Sequence, residues 1–138
     1  MIKDEVSERI IGCAFQVYNI LGSGFLESVY KKALVIELTK AGLTVEEETP
    51  ITVTYKGQIV GWFNADLIVE KKIILELKAI DVLAKTHEIQ LVNYLKATGI
   101  PVGLLINFGT TGIQIKRKYK DPVDPDHPGI LSKEEESQ

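Results

Sequence analysis

Apolar side chains recur at helical spacing through residues 3 to 21, at Val6, Ile10, Cys13/Ala14, Val17 and Leu21, with Asp4, Glu5, Glu8 and Arg9 in the opening turns. This predicts a first helix. A second is predicted from about Leu26 to Ala41, with Leu26, Val29, Tyr30, Ala33 and Leu34 as its inner face and Gly42 as its stop. The link between them, GSGF at residues 22–25, is short enough to make the two helices near neighbours. The period then changes. "LTVEEETPITVTYKGQIVGWF" is rich in β-branched and aromatic residues and holds a hairpin-turn signal at Lys56-Gly57. "ADLIVEKKIILELKAI" is again strand-like, two apolar runs around Lys71-Lys72. Residues 85–98 return to helical spacing and stop at Gly99-Ile100-Pro101; "PVGLLINFG" reads as a strand buried on both faces, and "IQIKRKYK" as a more exposed one.

The predicted order is α-α-β-β-β-β-α-β-β, an α/β (α+β) domain with one central sheet. Residues 1–119 hold all of it. Residues 120–138 form an acidic tail with three prolines, expected to be mobile unless a partner holds it.

Composition narrows the function classes. A single cysteine, Cys13, excludes an internal disulfide framework and a cysteine-rich zinc site, and its place on the apolar stripe of the first helix gives it a packing role. The charged N-terminus and the lack of any bilayer-length apolar run predict a cytoplasmic protein with no membrane partner. The formal net charge is −3, but the tail carries two basic and six acidic residues, leaving 14 basic against 13 acidic in residues 1–119. A polyanionic ligand is compatible with that near-neutral domain, though not required by it.

The chemistry concentrates in "NADLIVEKKIILELKAID", where Asp66, Glu76 and Lys78 interrupt runs of leucine, isoleucine and valine. Charges inside an apolar strand need partners or a metal. An antiparallel register with Val69 opposite Ile73 gives a three-residue turn, Glu70-Lys71-Lys72. One face then carries Leu67, Val69, Ile73, Leu75 and Leu77; the other carries Asp66, Ile68, Ile74, Glu76 and Lys78. Asp66 would face Glu76, and two such carboxylates repel unless a positive charge lies between them. A hard divalent cation, Mg²⁺ or Mn²⁺, suits them, with the Leu77 carbonyl as a further ligand. Lys78 would then orient or deprotonate a water and offset charge building on a phosphorus.

Asp66 followed by Glu76-Leu77-Lys78 resembles the D…(D/E)-x-K signature of the PD-(D/E)XK nuclease superfamily. "QLVNY", Gln90 to Tyr94, resembles the Q-x-x-x-Y motif of RecB-like nucleases, and "GFLESVY", Gly24 to Tyr30, resembles the pattern that names the GxxExxY family, a small bacterial group of that superfamily. Ala65, rather than the frequent proline, precedes Asp66. The resemblance implies a restriction-endonuclease-like core, a mixed sheet flanked by helices, and metal-dependent hydrolysis of phosphodiesters in DNA, ahead of RNA. Carried over by position, Glu27, Asp66 and Glu76 are metal ligands, Lys78 is the catalytic lysine, and Gln90 and Tyr94 line the site.

Plainer roles exist for several of these residues. Glu27 also suits the first turn of a helix capped near Gly24, and Tyr30 suits a core position with its hydroxyl reaching Glu27. His87, Gln90 and Tyr94 share a helix face that serves equally as a polar edge or as a substrate-binding surface. Lys85, Lys96, Lys116, Arg117 and Lys118 either contact phosphates or solvate a surface, and Trp62 is expected to pack. A non-catalytic module that keeps the fold and binds nucleic acid or a protein is the alternative reading. In either case a homodimer would add contact area that so small a chain lacks.

Overall fold

The computed structural model describes residues 5–121. The predicted tail beyond residue 121 lies outside the described residues. The elements are α1 (Glu5–Leu21), α2 (Glu27–Lys40), β1 (Val45–Tyr55), β2 (Gln58–Val69), β3 (Ile73–Lys78), α3 (Lys85–Thr98), β4 (Val102–Phe108) and β5 (Ile113–Tyr119). The strands form one sheet in the order β1-β2-β3-β4-β5, in which β3 and β4 run parallel across the α3 connection and the other neighbours are antiparallel. This is the expected α/β (α+β) architecture, with a mixed sheet between helices.

The sheet separates two apolar layers. On one face Ile10, Ala14 and Val17 of α1 and Tyr30, Leu34 and Leu38 of α2 pack on Leu67, Val69, Ile73, Leu75, Leu77, Leu104, Ile106 and Phe108. On the other, Leu91 and Leu95 of α3 pack on Ile51, Ala65, Ile68, Ile74 and Leu105. Residues 103–108 of β4 are all buried, as its unbroken apolar run predicts. Cys13 packs half-buried against the first layer, and burial raises its thiol pKa.

The helix stops and the first hairpin turn are written locally. Gly22, Gly42 and Gly99 follow the three helices with positive φ, and Lys56-Gly57 turns the β1–β2 hairpin with φ of 50° and 80°.

Three expectations need correction. Three strands precede α3, not four, because "QIVGWF" and "NADLIV" form the single strand β2. β1 pairs with it from Tyr55↔Gln58 to Val45↔Val69, so the backbone of Asn64 and Ala65 is satisfied within the ladder and nothing breaks the chain there. The inner face of α2 is Tyr30, Leu34 and Leu38, whereas Leu26 and Val29 are exposed: the buried stripe keeps Tyr30 and Leu34 but is rotated by roughly 60° from the expected one, toward Leu38. Trp62 is 71% exposed rather than packed. Beyond Asp66 no third strand lies beside the hairpin among the described residues, and it extends as a two-stranded ribbon.

β2 bends at Asp66. Its partner Glu48 has φ of 50° and drops out of the β1–β2 ladder. The alternation resets across that point: Phe63 and Ala65 face α3, yet so does Ile68, while Leu67 and Val69 face α1 and α2.

Gly103 lets α3 lie close to the sheet, since a Cβ there would meet Leu91 side-chain atoms at 2.9–3.1 Å. Gly103→Ala is expected to destabilise the fold by about 1–3 kcal/mol through overpacking, read from urea denaturation.

Candidate functional site

The β2–β3 ladder has the register that the apolar pattern requires, Val69↔Ile73, Ile68↔Ile74 and Leu67↔Leu75, and there it ends. β2 is held by β1 and bends with it, whereas β3 stays with β4 through Glu76↔Leu105, Leu77↔Ile106 and Lys78↔Asn107. The two strands therefore separate at Asp66 and Glu76, and side chains take over from backbone carbonyls. The Asp66 N–H donates to Glu76 Oε2 (3.1 Å), and the Leu77 N–H donates to Asp66 Oδ2 (2.9 Å). Each carboxylate keeps a second oxygen, Asp66 Oδ1 and Glu76 Oε1, that takes no hydrogen bond from the described residues.

Such crowding of acids has an electrostatic consequence. Burial, and then the Asp66 carboxylate, raise the Glu76 pKa from the ordinary 4.5 to about 8, against the opposing pull of the Asp66 N–H and Lys78. Half-buried Lys78 follows Glu76 by two on β3 and so projects to the same face. Its partner across β4 is Asn107, a fully buried amide. Asn107 accepts from the Ile80 N–H (2.9 Å), donates to the Ile80 carbonyl (2.9 Å) and donates to Gln114 Oε1 (3.0 Å). It thereby anchors the chain just after Lys78. The one polar residue inside the apolar run "LLINF" was the available signal for this role.

Glu27 is the first residue of α2, on the exposed side, preceded by Leu26, which supplies no side-chain cap. Its carboxyl pKa is raised by partial desolvation and by Asp66, with Lys78 and Lys31 pulling it down. Glu27 therefore lies within the field of the strand acids. The link before it is held by Tyr30, whose hydroxyl donates to the Gly22 carbonyl (2.6 Å) and accepts from the Phe25 N–H (3.2 Å). The expected partner of that hydroxyl, Glu27, is not the one it uses: a buried phenol one turn into the helix reaches back to the link. The Tyr30 ring stacks on Phe108 of β4 (centroids 4.5 Å apart), so the GSGF link is fastened through Tyr30 to the sheet. Lys31, absent from the sequence reading, forms an ion pair with Glu48 at the bend of β1. A lysine on a helix and a glutamate in an acidic strand run carry no local sign that they will meet.

On α3, the Tyr94 ring stacks on Phe63 of β2 with centroids 3.6 Å apart. Burial raises its hydroxyl pKa, and the Glu76 and Asp66 charges raise it further, so Tyr94 lies within the field of the strand acids. His87 lies at the start of α3, where its Nδ1 accepts the Ala84 N–H (3.0 Å), and Gln90 is exposed. No bond joins either one to the carboxylates among the described residues. Lys118 pairs with Glu88 (2.8 Å) and Arg117 with Glu8 (3.0 Å), so both are engaged by acids of the chain itself.

Among the described residues no three His, Cys, Asp or Glu side chains gather closely enough to hold a metal ion. The donor chemistry nonetheless fits a hard divalent cation, since Asp66 and Glu76 each have an uncommitted oxygen in a site short of positive charge.

A model of the PD-(D/E)XK nuclease superfamily matches residues 4–119, spanning α1 to β5. The chain belongs to the PD-(D/E)XK nuclease superfamily. Nucleases of this superfamily generally use divalent metal ions, and a nuclease fold implies a nucleic-acid ligand. Among solved structures the chain resembles the crystal structure of SSO0001, at 19% identity and a TM-score of 0.54, over 90% of this chain and 72% of that one. At that identity the likeness is one of fold. No curated protein matches the sequence. None of the described helices is long and apolar enough to cross a membrane.

Two outcomes are expected of this PD-(D/E)XK core. Tyr30→Phe keeps the stacking on Phe108 but leaves the Gly22 carbonyl unpaired; thermal denaturation should show a loss of about 1–3 kcal/mol. Glu76 holds a proton in the folded chain between pH 4.5 and about 8, where the unfolded chain has lost it. The stability of the metal-free protein should therefore fall as pH rises through that window. Glu76→Gln should flatten the trend, by a few kcal/mol at most, in melts taken with EDTA present.

Proposed function

We propose that this chain is a metal-dependent nuclease of the GxxExxY group, hydrolysing phosphodiester bonds in DNA, ahead of RNA, in the bacterial cytoplasm. The observation that carries the reading is the parting of β2 from β3, which presents the free oxygens of Asp66 and Glu76 with Lys78 projecting beside them. Asp66, Glu76 and Glu27, with the Leu77 carbonyl, would hold Mg²⁺ or Mn²⁺. When bound, the cation supplies charge neutralisation at the phosphate and a more acidic water. The chain's own part is then specific. Asp66 and Glu76 stand fixed by each other's strand, so the acids keep their places without a ligand. Lys78 positions or deprotonates the attacking water and offsets charge on the phosphoryl oxygens. Glu27, at the head of α2, closes the acidic set from the opposite layer. Tyr94, with Gln90 and His87 further along the same helix, lines the approach.

One observation favours a second reading, a non-catalytic module that keeps the fold and binds nucleic acid or a protein: the acids are engaged by backbone N–H groups rather than gathered as a metal cage. Calorimetry with Mn²⁺ separates the two, because the module would show no binding below the millimolar range. The nuclease should cleave DNA substrates with Mg²⁺ or Mn²⁺ and lose at least about 100-fold in rate in both Glu76→Ala and Lys78→Ala. Cleavage that survives both substitutions would reject the mechanism. Light scattering would show whether a homodimer forms.

A further inference from the structure

The β1–β2 ribbon and α3 enclose an open groove of about 530 Å³, lined by Val53, Phe63, Asn93, Tyr94, Lys96 and Ala97. Its floor is aromatic. Phe63 and Tyr94 stack face to face, centroids 3.6 Å apart and planes at 15°, so each covers one face of the other and the pair offers a ligand an outer face or an edge; both residues are half-buried. Phe63 stands three residues before Asp66 on the same strand, which places the groove along β2 from the acids. Exposed Asn93 brings an amide with two donors and an acceptor. Exposed Lys96 brings a cation that has no acidic partner among the described residues.

We infer that this groove is a nucleobase subsite, taking an unpaired base next to the scissile phosphate of a single-stranded or frayed nucleic acid. An aromatic ring backed by a second one, beside a hydrogen-bonding amide, suits a base, whose faces are apolar and whose edge is polar. The cation on the rim suits the phosphate that follows it. A base in a continuous duplex is stacked on both sides and cannot lie against such a ring without leaving the helix. The substrate of the nuclease proposed above is therefore a single strand, an end or a junction; the inference rests on that reading for the identity of the phosphate alone.

The test measures binding, without hydrolysis. Fluorescence anisotropy with EDTA present and at low salt compares a short labelled single-stranded oligodeoxynucleotide with an abasic strand of equal length and charge. The wild-type chain should bind the base-bearing strand roughly tenfold more tightly. Phe63→Leu keeps the apolar volume under α3 but removes one ring of the stacked pair. Ala97→Leu narrows the groove from an exposed helix position, adds no ring and does not touch the core. In both variants the preference should fall to about one, with affinity for the abasic strand unchanged. Equal binding of the two strands by the wild type, a tenfold preference that persists in both variants, or no binding of either strand would overturn the inference; persistence would leave the groove to a different ligand, such as a peptide. A chain that shows the preference but cleaves nothing loses the catalytic reading and keeps the subsite. One that cleaves without the preference loses the subsite alone.

Discussion

The separation of β2 from β3 governs the rest of this molecule. Antiparallel strands ordinarily continue until one of them ends, because each backbone N–H left without a partner costs free energy. Here two strands with further residues to pair part company, and the loss is offset by carboxylates: Glu76 receives the N–H of Asp66, and Asp66 receives the N–H of Leu77. The same side chains that would serve chemistry thus repair the sheet where it opens. That dual use makes the acids rigid, since each is held by the strand opposite.

The opening is sustained from both sides. β1 draws β2 away through the positive-φ residue Glu48, itself tied to Lys31 of α2. β4 retains β3, and buried Asn107 secures the chain beyond Lys78 by binding both backbone groups of Ile80. Across the first apolar layer, Tyr30 clamps the link before α2 and stacks on Phe108, the last residue of β4. The head of α2 is consequently referenced to the same strand that supports Lys78. Tyr30 fastens the link that leads into Glu27 and is not its hydrogen-bond partner.

Such a site has an electrostatic cost. Desolvated acids around one lysine leave the metal-free protein with a glutamate that prefers its proton near neutral pH, a raised pKa of the sort that clusters where charge is meant to be met by a ligand. Phe63 and Tyr94 stack on each other along β2 from those acids, before the point where the strand's alternation resets.

The sequence alone determined what short-range periodicity and local chain geometry can encode. It specified the helix stops at glycine, the Lys56-Gly57 turn, the doubly buried β4, and the Val69↔Ile73 register that puts Asp66, Glu76 and Lys78 on one side. Those follow from which side chains must leave water and from which residues accept a positive φ. The tertiary structure decided what depends on partners distant in the chain. Whether Asn64 ended a strand depended on β1 continuing opposite it, and which stripe of α2 faced inward depended on where the sheet surface lay. Trp62 is exposed because it points away from α3, to a face of the ribbon that the α1–α2 layer does not cover among the described residues. The GSGFLESVY stretch shows both halves: its spacing singled out Glu27 and Tyr30, but only the contacts with Phe108 and the Gly22 carbonyl, made by residues distant in the chain or set by the turn, show that the tyrosine fastens the link before α2 to the sheet.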